Sequence, residues 1–235
     1  MKNAGIRYRE SLNTSAKRTY GQYCALAMAL DVIGERWTLL IVRELLVRPR
    51  RYAELLHELP GIGTNLLAER LRFMVEAGLV AMVNPADRRS GYELTERGES
   101  LREPVLALAR WGLEVMTEQA HAGYISPGWA LLGVQALLDD SRAPAKEDDY
   151  MFVVDEEIFT ISVRAGHAVA RDGAVAAPSM TITTDASTLI DIGARRLNPM
   201  AALIAGKLTV ATDDPETILR CLHLMGLSDA ASSMA

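Results

Sequence analysis

The stretch LPGIGTNLLAERLRFMVEAGLV, from Leu59 to Val80, constrains the fold more than any other. Pro60-Gly61-Ile62-Gly63 breaks a helix, because Pro lacks a backbone N–H and Gly is conformationally loose. The pattern then turns helical. Leu67, Leu71, Met74 and Val75 fall at i, i+4, i+7 and i+8, which is one face of a 3.6-residue repeat. Thr64 is a plausible N-cap and Gly78 a C-terminal stop. Asn65, Ala68, Glu69 and Arg72 fall off the apolar stripe. On periodicity alone an ordinary surface helix fits as well as a binding helix, so the flanking segments decide.

Upstream, CALAMALDVIG (24–34) is apolar on most sides and predicts a buried helix ended by Gly34. WTLLIVRELLV (37–47) is helical in spacing and Pro49 closes it. RYAELLHEL (51–59) repeats the pattern just before the hinge. Downstream, LVAMV (79–83) and YEL (92–94) have strand character and enclose NPADRRSG (84–91), which predicts a hairpin with a basic tip. LTERGESLREPVLALARWGLEVMTEQAHA (94–122) contains a long amphipathic helix with Thr95 as N-cap. Leu101, Val105, Leu108, Trp111, Leu113, Val115 and Met116 line its apolar side, and Pro104 interrupts it. The order is helix, helix, helix-turn-helix, hairpin, helix. In such an arrangement the second helix of the turn keeps one stripe in the core. Its N-terminal end offers short polar and cationic groups to base edges. Thr64 and Asn65 are best placed for bases, with Arg51, Ala68 and Glu69 completing the set. Arg72 and Arg70 suit phosphates, and Arg70 alternatively pairs with an internal acid. Arg88 and Arg89 at the hairpin tip reach phosphates or the minor groove.

Charge agrees with this order. Residues 1–120 hold 17 Lys+Arg against 15 Asp+Glu, a net of +2, and residues 121–235 hold 8 against 15, a net of −7. The first 51 residues alone carry 10 basic and 4 acidic groups. The N-terminal end suits a polyanion and the rest does not, so the overall −5 does not argue against nucleic acid. The basic N-terminus has no apolar core of a secretory signal, and no run of eighteen apolar residues predicts a membrane span. Cys24 and Cys221 are the two cysteines of the chain, which fits a reducing cytoplasm and no disulfide framework.

Past residue 122 the character changes. PGWALLGVQALLDD (127–140) predicts one helix, and SRAPAKEDD (141–149) a linker. Residues 150–173 alternate and are rich in β-branched side chains, with a turn near Asp155–Glu157. SMTITTDA (179–186) and KLTVAT (207–212) predict strands. ASTLIDIGARRL and NPMAALIAG predict helices capped by Asp185 and Asn198. DPETILRCLHLMGL (214–227) predicts a last helix with Pro215 at N1. A block of strands before the helices suggests an α+β sheet with helices on one face.

Several motifs then come into line. Cys24 is followed by Ala29-Leu30-Asp31-Val32-Ile33-Gly34-Glu35-Arg36-Trp37. After it come Arg51-Tyr52-Ala53-Glu54-Leu55, the L-x-x-R-L spacing from Leu67 to Leu71, and Tyr92 to Gly98 in the pattern Y-x-L-T-x-x-G. Residues 20–120 resemble the HxlR family of winged helix-turn-helix transcriptional regulators, relatives of MarR. The departures are Ala25 where that family often has Pro, and Thr64 where it often has Ser. The second half, through TITTDASTLIDI, NPMAALIAGKLTV and an acidic turn before the last helix, resembles the sterol carrier protein type 2-like fold. Ala211 stands where a Gly is frequent there. That resemblance implies an apolar tunnel for lipids or acyl chains and no catalytic residues.

The expected architecture is α+β throughout. A winged helix-turn-helix domain for DNA binding and dimerisation occupies 1–122, a helix and linker 123–149, and a sterol carrier-like, ligand-binding domain 150–235. Phe152, Phe159, Ile182, Leu189, Ile192, Leu197, Met200, Leu203, Leu222 and Met225 either line an apolar pocket or fill a core. The HxlR resemblance makes Cys24 a candidate redox sensor. The plain alternative is a small buried hydrophobe, and Lys17 and Arg18 are too remote in sequence to argue for a reactive thiol. Cys221 reads as packing. His57, His121, His167 and His223 are scattered and show no metal spacing, and no nucleophile set or phosphate loop is legible. The expectation is therefore a cytoplasmic, non-enzymatic regulator without a cofactor. It binds double-stranded DNA as a homodimer whose seam lies on the apolar flanks of helices 24–34 and 95–121. A small apolar or acyl ligand modulates it, and no membrane is a partner. The alternatives are a lipid or acyl-chain carrier with secondary DNA binding, or a C-terminal half that is purely a dimerisation module.

Overall fold

A computed structural model describes residues 19–84, 87, 90–116 and 123–228. The chain divides into two compact units, Met1–Val105 and Leu106–Ala235. The expected limit at residue 122 lies outside the described residues.

The first unit contains helices α1 (Ala25–Ile33), α2 (Thr38–Val47), α3 (Tyr52–Glu58) and α4 (Thr64–Glu76). Strands β1 (Val80–Met82) and β2 (Tyr92–Leu94) follow, then the short helix α5 (Glu96–Glu99) and the start of α6 (Arg102–Val115). Ile41, Val42 and Leu45 of α2, Leu55 of α3, Leu59 of the hinge and Leu67, Leu71 and Met74 of α4 are buried. Their 3.6-residue spacing turns three helical stripes inward. β1 and β2 pair antiparallel, with Ala81 opposite Glu93. Arg50 adds a third edge that the sequence did not announce: its N–H and C=O exchange hydrogen bonds with Tyr92 at 3.0 and 2.7 Å.

Three expectations change here. Helix α1 was expected to be buried, yet only Ala27 and Val32 are, while Leu26 is 67% exposed and Tyr23 just before it 97%. A helix apolar all round needs cover all round, and this unit covers one side. Val75 is exposed rather than buried with its stripe, because Met74 already fills the inward position of the last turn. The long helix expected over 94–122 breaks at Ser100–Leu101 instead of at Pro104, within its described residues. Pro104 stands in the first turn of α6, where its missing N–H has no helical acceptor to satisfy.

The second unit holds a five-stranded sheet. Its strands are β3 (Asp148–Val154), β4 (Glu157–Arg164), β5 (His167–Asp172), β6 (Met180–Thr184) and β7 (Leu208–Ala211), in the order β5-β4-β3-β6-β7. β3 and β6 are parallel and the other pairs antiparallel. Helices α7 (Ala130–Leu137), α8 (Ala186–Gly193), α9 (Pro199–Ile204) and α10 (Glu216–Leu224) share one core with the sheet. Along β3, Tyr150, Phe152 and Val154 are buried while Met151 and Val153 are half-buried, the period of a sheet covered mainly on one face. Asp185 and Asn198 cap α8 and α9 as expected: Asp185 accepts from the N–H of Thr188 at 2.8 Å, Asn198 from that of Met200 at 2.8 Å.

The remaining differences are local. The segment 127–140 is a 3-10 turn (Pro127–Trp129) followed by α7, because Leu138 leaves the helical region with ψ 135. Asp148 and Asp149, expected in a linker, start β3, and Arg220 holds the buried Asp148 at 2.8 Å. Residues 150–173 form three strands rather than two, because Ala165 and Gly166 adopt positive φ (50 and 78) and reverse the chain a second time. Pro215 stands at the N-cap of α10, one residue before the expected N1.

Candidate nucleic-acid interface and apolar cavity

The hinge between α3 and α4 is built from both sides. Gly61 turns the chain with φ +94, a value that Cβ-bearing residues rarely adopt. A Cβ there would lie 3.7 Å from the Trp37 ring. Trp37 itself is in the left-handed region, φ 79, at the start of α2, with the Arg36 guanidinium 5.2 Å from its ring centroid. Ile62 is buried, and the Tyr52 hydroxyl donates to the Thr64 carbonyl at 2.6 Å, joining α3 to the first residue of α4. Gly63, not Thr64, is the N-cap of α4, and it makes no side-chain cap. The Thr64 hydroxyl is thus not spent on its own helix terminus.

With Leu67, Leu71 and Met74 fixed inside, the opposite edge of α4 is solvent-facing. Thr64, Asn65, Glu69 and Arg72 are exposed and Ala68 is half-buried. Arg70 turns away from that edge: its side chain is 12% exposed, 3.3 Å from Glu35 and 3.6 Å from Glu69. Arg51 is exposed at the N-cap of α3, and its N–H donates to Glu54. Arg88 and Arg89 lie outside the described residues.

The wing is tied to the helices by a network that the motif reading missed. Glu44 is fully buried and Arg50 is 3% exposed; they meet at 3.2 Å, and Arg50 also reaches Glu58 at 3.5 Å. Because Arg50 pairs with β2 through its backbone, its side chain fixes the hairpin against α2 and α3. A signal for this existed: Glu44 falls between Val42 and Leu45 on an apolar stripe, and a carboxylate there demands a partner. Gly98 closes the wing for a steric reason, since a Cβ there would lie 2.0 Å from the Leu79 carbonyl oxygen. Thr95 caps α5 by accepting from the Gly98 N–H at 3.1 Å and donates to the Gly78 carbonyl at 2.6 Å. Asp31, another motif residue, accepts from the Tyr20 N–H and the Thr19 hydroxyl and so holds the segment before α1.

Cys24 is exposed at the N-cap of α1, not a buried hydrophobe. Its thiol is held below its ordinary pKa by the backbone N–H groups of Ala27 and Leu26 rather than by a cation. Cys221 is buried, and burial pushes its thiol well above the ordinary range.

The second unit encloses an apolar cavity of about 100 Å³ between sheet and helices. Phe152, Ile182, Leu189, Ile192, Met200, Leu203, Leu222 and Met225 line it. Phe159 and Leu197 do not. Phe159 pairs directly with Phe152 across β3 and β4 and stacks on its ring at 5.0 Å, filling core behind the cavity wall. Leu197, past the left-handed turn at Arg195, packs against the core without reaching the space. Among the described residues no group of three His, Cys, Asp or Glu is placed to hold a metal. No described helix is long and apolar enough to cross a membrane.

The first unit, with two helices joined by a tight hinge and a small antiparallel wing, is a winged helix-turn-helix. The HxlR-like helix-turn-helix family model matches residues 32–120. The chain is 34% identical to the HTH-type transcriptional regulator YkvN of Bacillus subtilis over 91 residues, 38% of this chain and 77% of that protein. It is 40% identical over 94 residues to an HTH-type transcriptional regulator of Mycobacterium tuberculosis, covering 39% of this chain and 59% of the relative. It therefore spans under two thirds of the mycobacterial proteins it matches. A solved structure from Porphyromonas gingivalis W83, described as a MarR-family transcriptional regulator, covers 42% of this chain and 99% of its own, at 28% identity and a TM-score of 0.39. The chain belongs to the HxlR-like helix-turn-helix family.

Proposed function

We propose that this protein is a DNA-binding transcriptional regulator, not an enzyme, which reads its operator with α4. One observation carries the reading: Thr64, Asn65, Glu69 and Arg72 form a solvent-facing edge on a helix whose other face is locked into the core. Asn65 and Thr64 serve base edges, Arg72 and Arg51 serve phosphates, and Arg88 and Arg89 extend the contact to the backbone or minor groove. The Arg70–Glu35 contact makes Arg70 a structural residue first and a phosphate ligand second. Selection from a random-sequence DNA pool with the full chain should yield a pseudo-palindrome with half-sites about one helical turn apart. Recovery of no preferred sequence overturns the reading.

The pseudo-palindrome requires a two-fold dimer. Each unit offers exposed apolar side chains to such a seam: Leu26, Met28 and Leu30 of α1 in the first, and Leu108, Trp111 and Val115 of α6 in the second. The second unit is proposed as a sterol carrier-like sensing domain. Its cavity is smaller than the roughly 300–1,000 Å³ of ordinary ligand pockets and nearer the roughly 150 Å³ engineered cavities that admit benzene. This favours a small apolar body over a long acyl chain. A ligand regulates only if it binds DNA-competent and incompetent states unequally, so the test is operator affinity with and without ligand.

Cys24 supports a second input. An exposed thiol at a helix N-terminus, lowered by backbone N–H groups, reacts as thiolate more readily than a free cysteine. Iodoacetamide alkylation of Cys24 should show a midpoint below about 8.5, the free-thiol value. A midpoint at or above that value removes Cys24 as a sensor.

A further inference from the structure

Beside the apolar cavity, and wholly within the second unit, lies a polar cleft of about 480 Å³. Three arginines line it: Arg110 of α6, Arg142 and Arg195. Two of them are fixed by neutral groups. The Arg110 Nε donates to the Ala136 carbonyl at 2.7 Å, and a terminal nitrogen of Arg195 to the Gly226 carbonyl at 3.0 Å. A carbonyl orients a guanidinium without cancelling its charge. Arg142 is met by Asp139 at 3.2 Å and lies over Gly226, where a Cβ would come within 2.5 Å of its terminal nitrogen. The carboxylates lining the cleft are Asp139 and Glu114, so three cations face two anions. The Asp139 carboxylate also accepts from the N–H and hydroxyl of Ser141.

Cleft and cavity share Leu113, Leu137, Gly193 and Met225 as lining residues. At that junction Gly193 presents no side chain, and a Cβ there would press on Leu137 at 3.3 Å. An apolar, ring-sized space therefore adjoins a cleft with one net positive charge.

We propose that the second unit binds a small carboxylate amphiphile, with its apolar body in the cavity and its carboxylate against Arg110, Arg142 and Arg195. The inference rests on the reading of the cavity as a ligand site. A monoanion balances the cleft, whereas a phosphate dianion leaves it negative. A planar carboxylate also matches the guanidinium fork. The cavity volume limits the apolar body to about one ring, and the cleft admits the head. Arg110 stands on α6, which starts in the first unit and ends in the second, so a bound head group engages the segment that runs from one to the other.

The test is isothermal titration of the full chain with benzoate, phenylacetate and 3-phenylpropionate, each beside its primary amide, and with ethylbenzene as the neutral body. At least one carboxylate should bind about tenfold or more tighter than its amide, the scale of a hydrogen bond to a charged group. Arg195→Gln should abolish that preference and leave ethylbenzene binding unchanged. The acid-versus-amide comparison in the unaltered protein stands even if that variant fails to fold. If ethylbenzene binds and no acid outcompetes its amide, the head-group assignment is overturned while the cavity reading survives. If neither ethylbenzene nor any acid binds, both fall.

Discussion

Helices α1 and α4 both carry leucines, two in α1 and three in α4, and meet opposite fates. α4 alternates buried stripe and polar edge, and the structure seats Leu67, Leu71 and Met74 inside while leaving Asn65 and Arg72 out. α1 is apolar nearly all round, and the structure leaves Leu26, Met28 and Leu30 in solvent. An amphipathic helix states in its own sequence which face is covered. A uniformly apolar helix states only that something covers it, and that something need not belong to the same chain.

Seven substitutions test this contrast and the frame around it. The largest effect falls where neither helix supplies the residue. Glu44→Ala strips the buried Arg50 of its nearer carboxylate, leaves it to the longer Glu58 contact and loosens the wing; it should cost about 3–5 kcal/mol in urea denaturation. A loss under 1 kcal/mol would show that Arg50 relaxes to solvent and that the pair does not hold the wing.

Leu67→Ala and Leu26→Ala form the direct test. Leu67 is fully buried, and its truncation should cost about 2–5 kcal/mol. Leu26→Ala should lie within about 0.5 kcal/mol for a single chain, as exposed positions do. If α1 is a dimer seam, Leu26→Glu should instead shift sedimentation from dimer to monomer at micromolar concentration. A dimer that tolerates that charge moves the seam away from α1.

Asn65→Ala should remove about 1–3 kcal/mol of discrimination at one base position while leaving the urea midpoint untouched. Arg72→Ala, by contrast, should weaken binding to all sequences and lower the slope of log affinity against log salt by about 1. Equal behaviour of the two variants would erase the division between reading and positioning.

A small, pH-dependent effect lies in the second unit. Burial raises the Asp185 pKa, but hydrogen bonds from the Thr188 hydroxyl and N–H outweigh it, and the net shift is downward. A carboxylate lowered on folding contributes stability that is complete above its unfolded pKa of about 3.9 and lost as pH falls through the folded value. Asp185→Ala should therefore cost about 1 kcal/mol at neutral pH, as cap deletions do, and progressively less below pH ~4. A cost independent of pH would place the loss in packing.

Most elements of the first unit were legible because their apolar periods, hinge and wing follow one another in chain order. Thr95 and Gly61 act where the sequence put them for local reasons, a cap and a turn, whereas Gly98 is required by a tertiary contact with the Leu79 carbonyl. The candidate reading edge was legible through Asn65 and Arg72, which fall off the stripe, and less so through Arg70, whose partner Glu35 is 35 residues away. In the second unit the caps at Asp185 and Asn198 were readable, whereas the turn at Ala165-Gly166 was not, since alanine carries no signal for positive φ.

The sequence by itself determined the helix-turn-helix, the wing, the charge asymmetry and the α+β character of the second half, because period, capping and turn chemistry act over a few residues. Only the tertiary structure decided that Arg50 joins the wing and meets Glu44, that Cys24 is exposed and Cys221 is not, and that Phe159 fills core while Phe152 faces a cavity. Those outcomes depend on which distant groups exclude water from one another, and one residue's neighbours along the chain do not specify that.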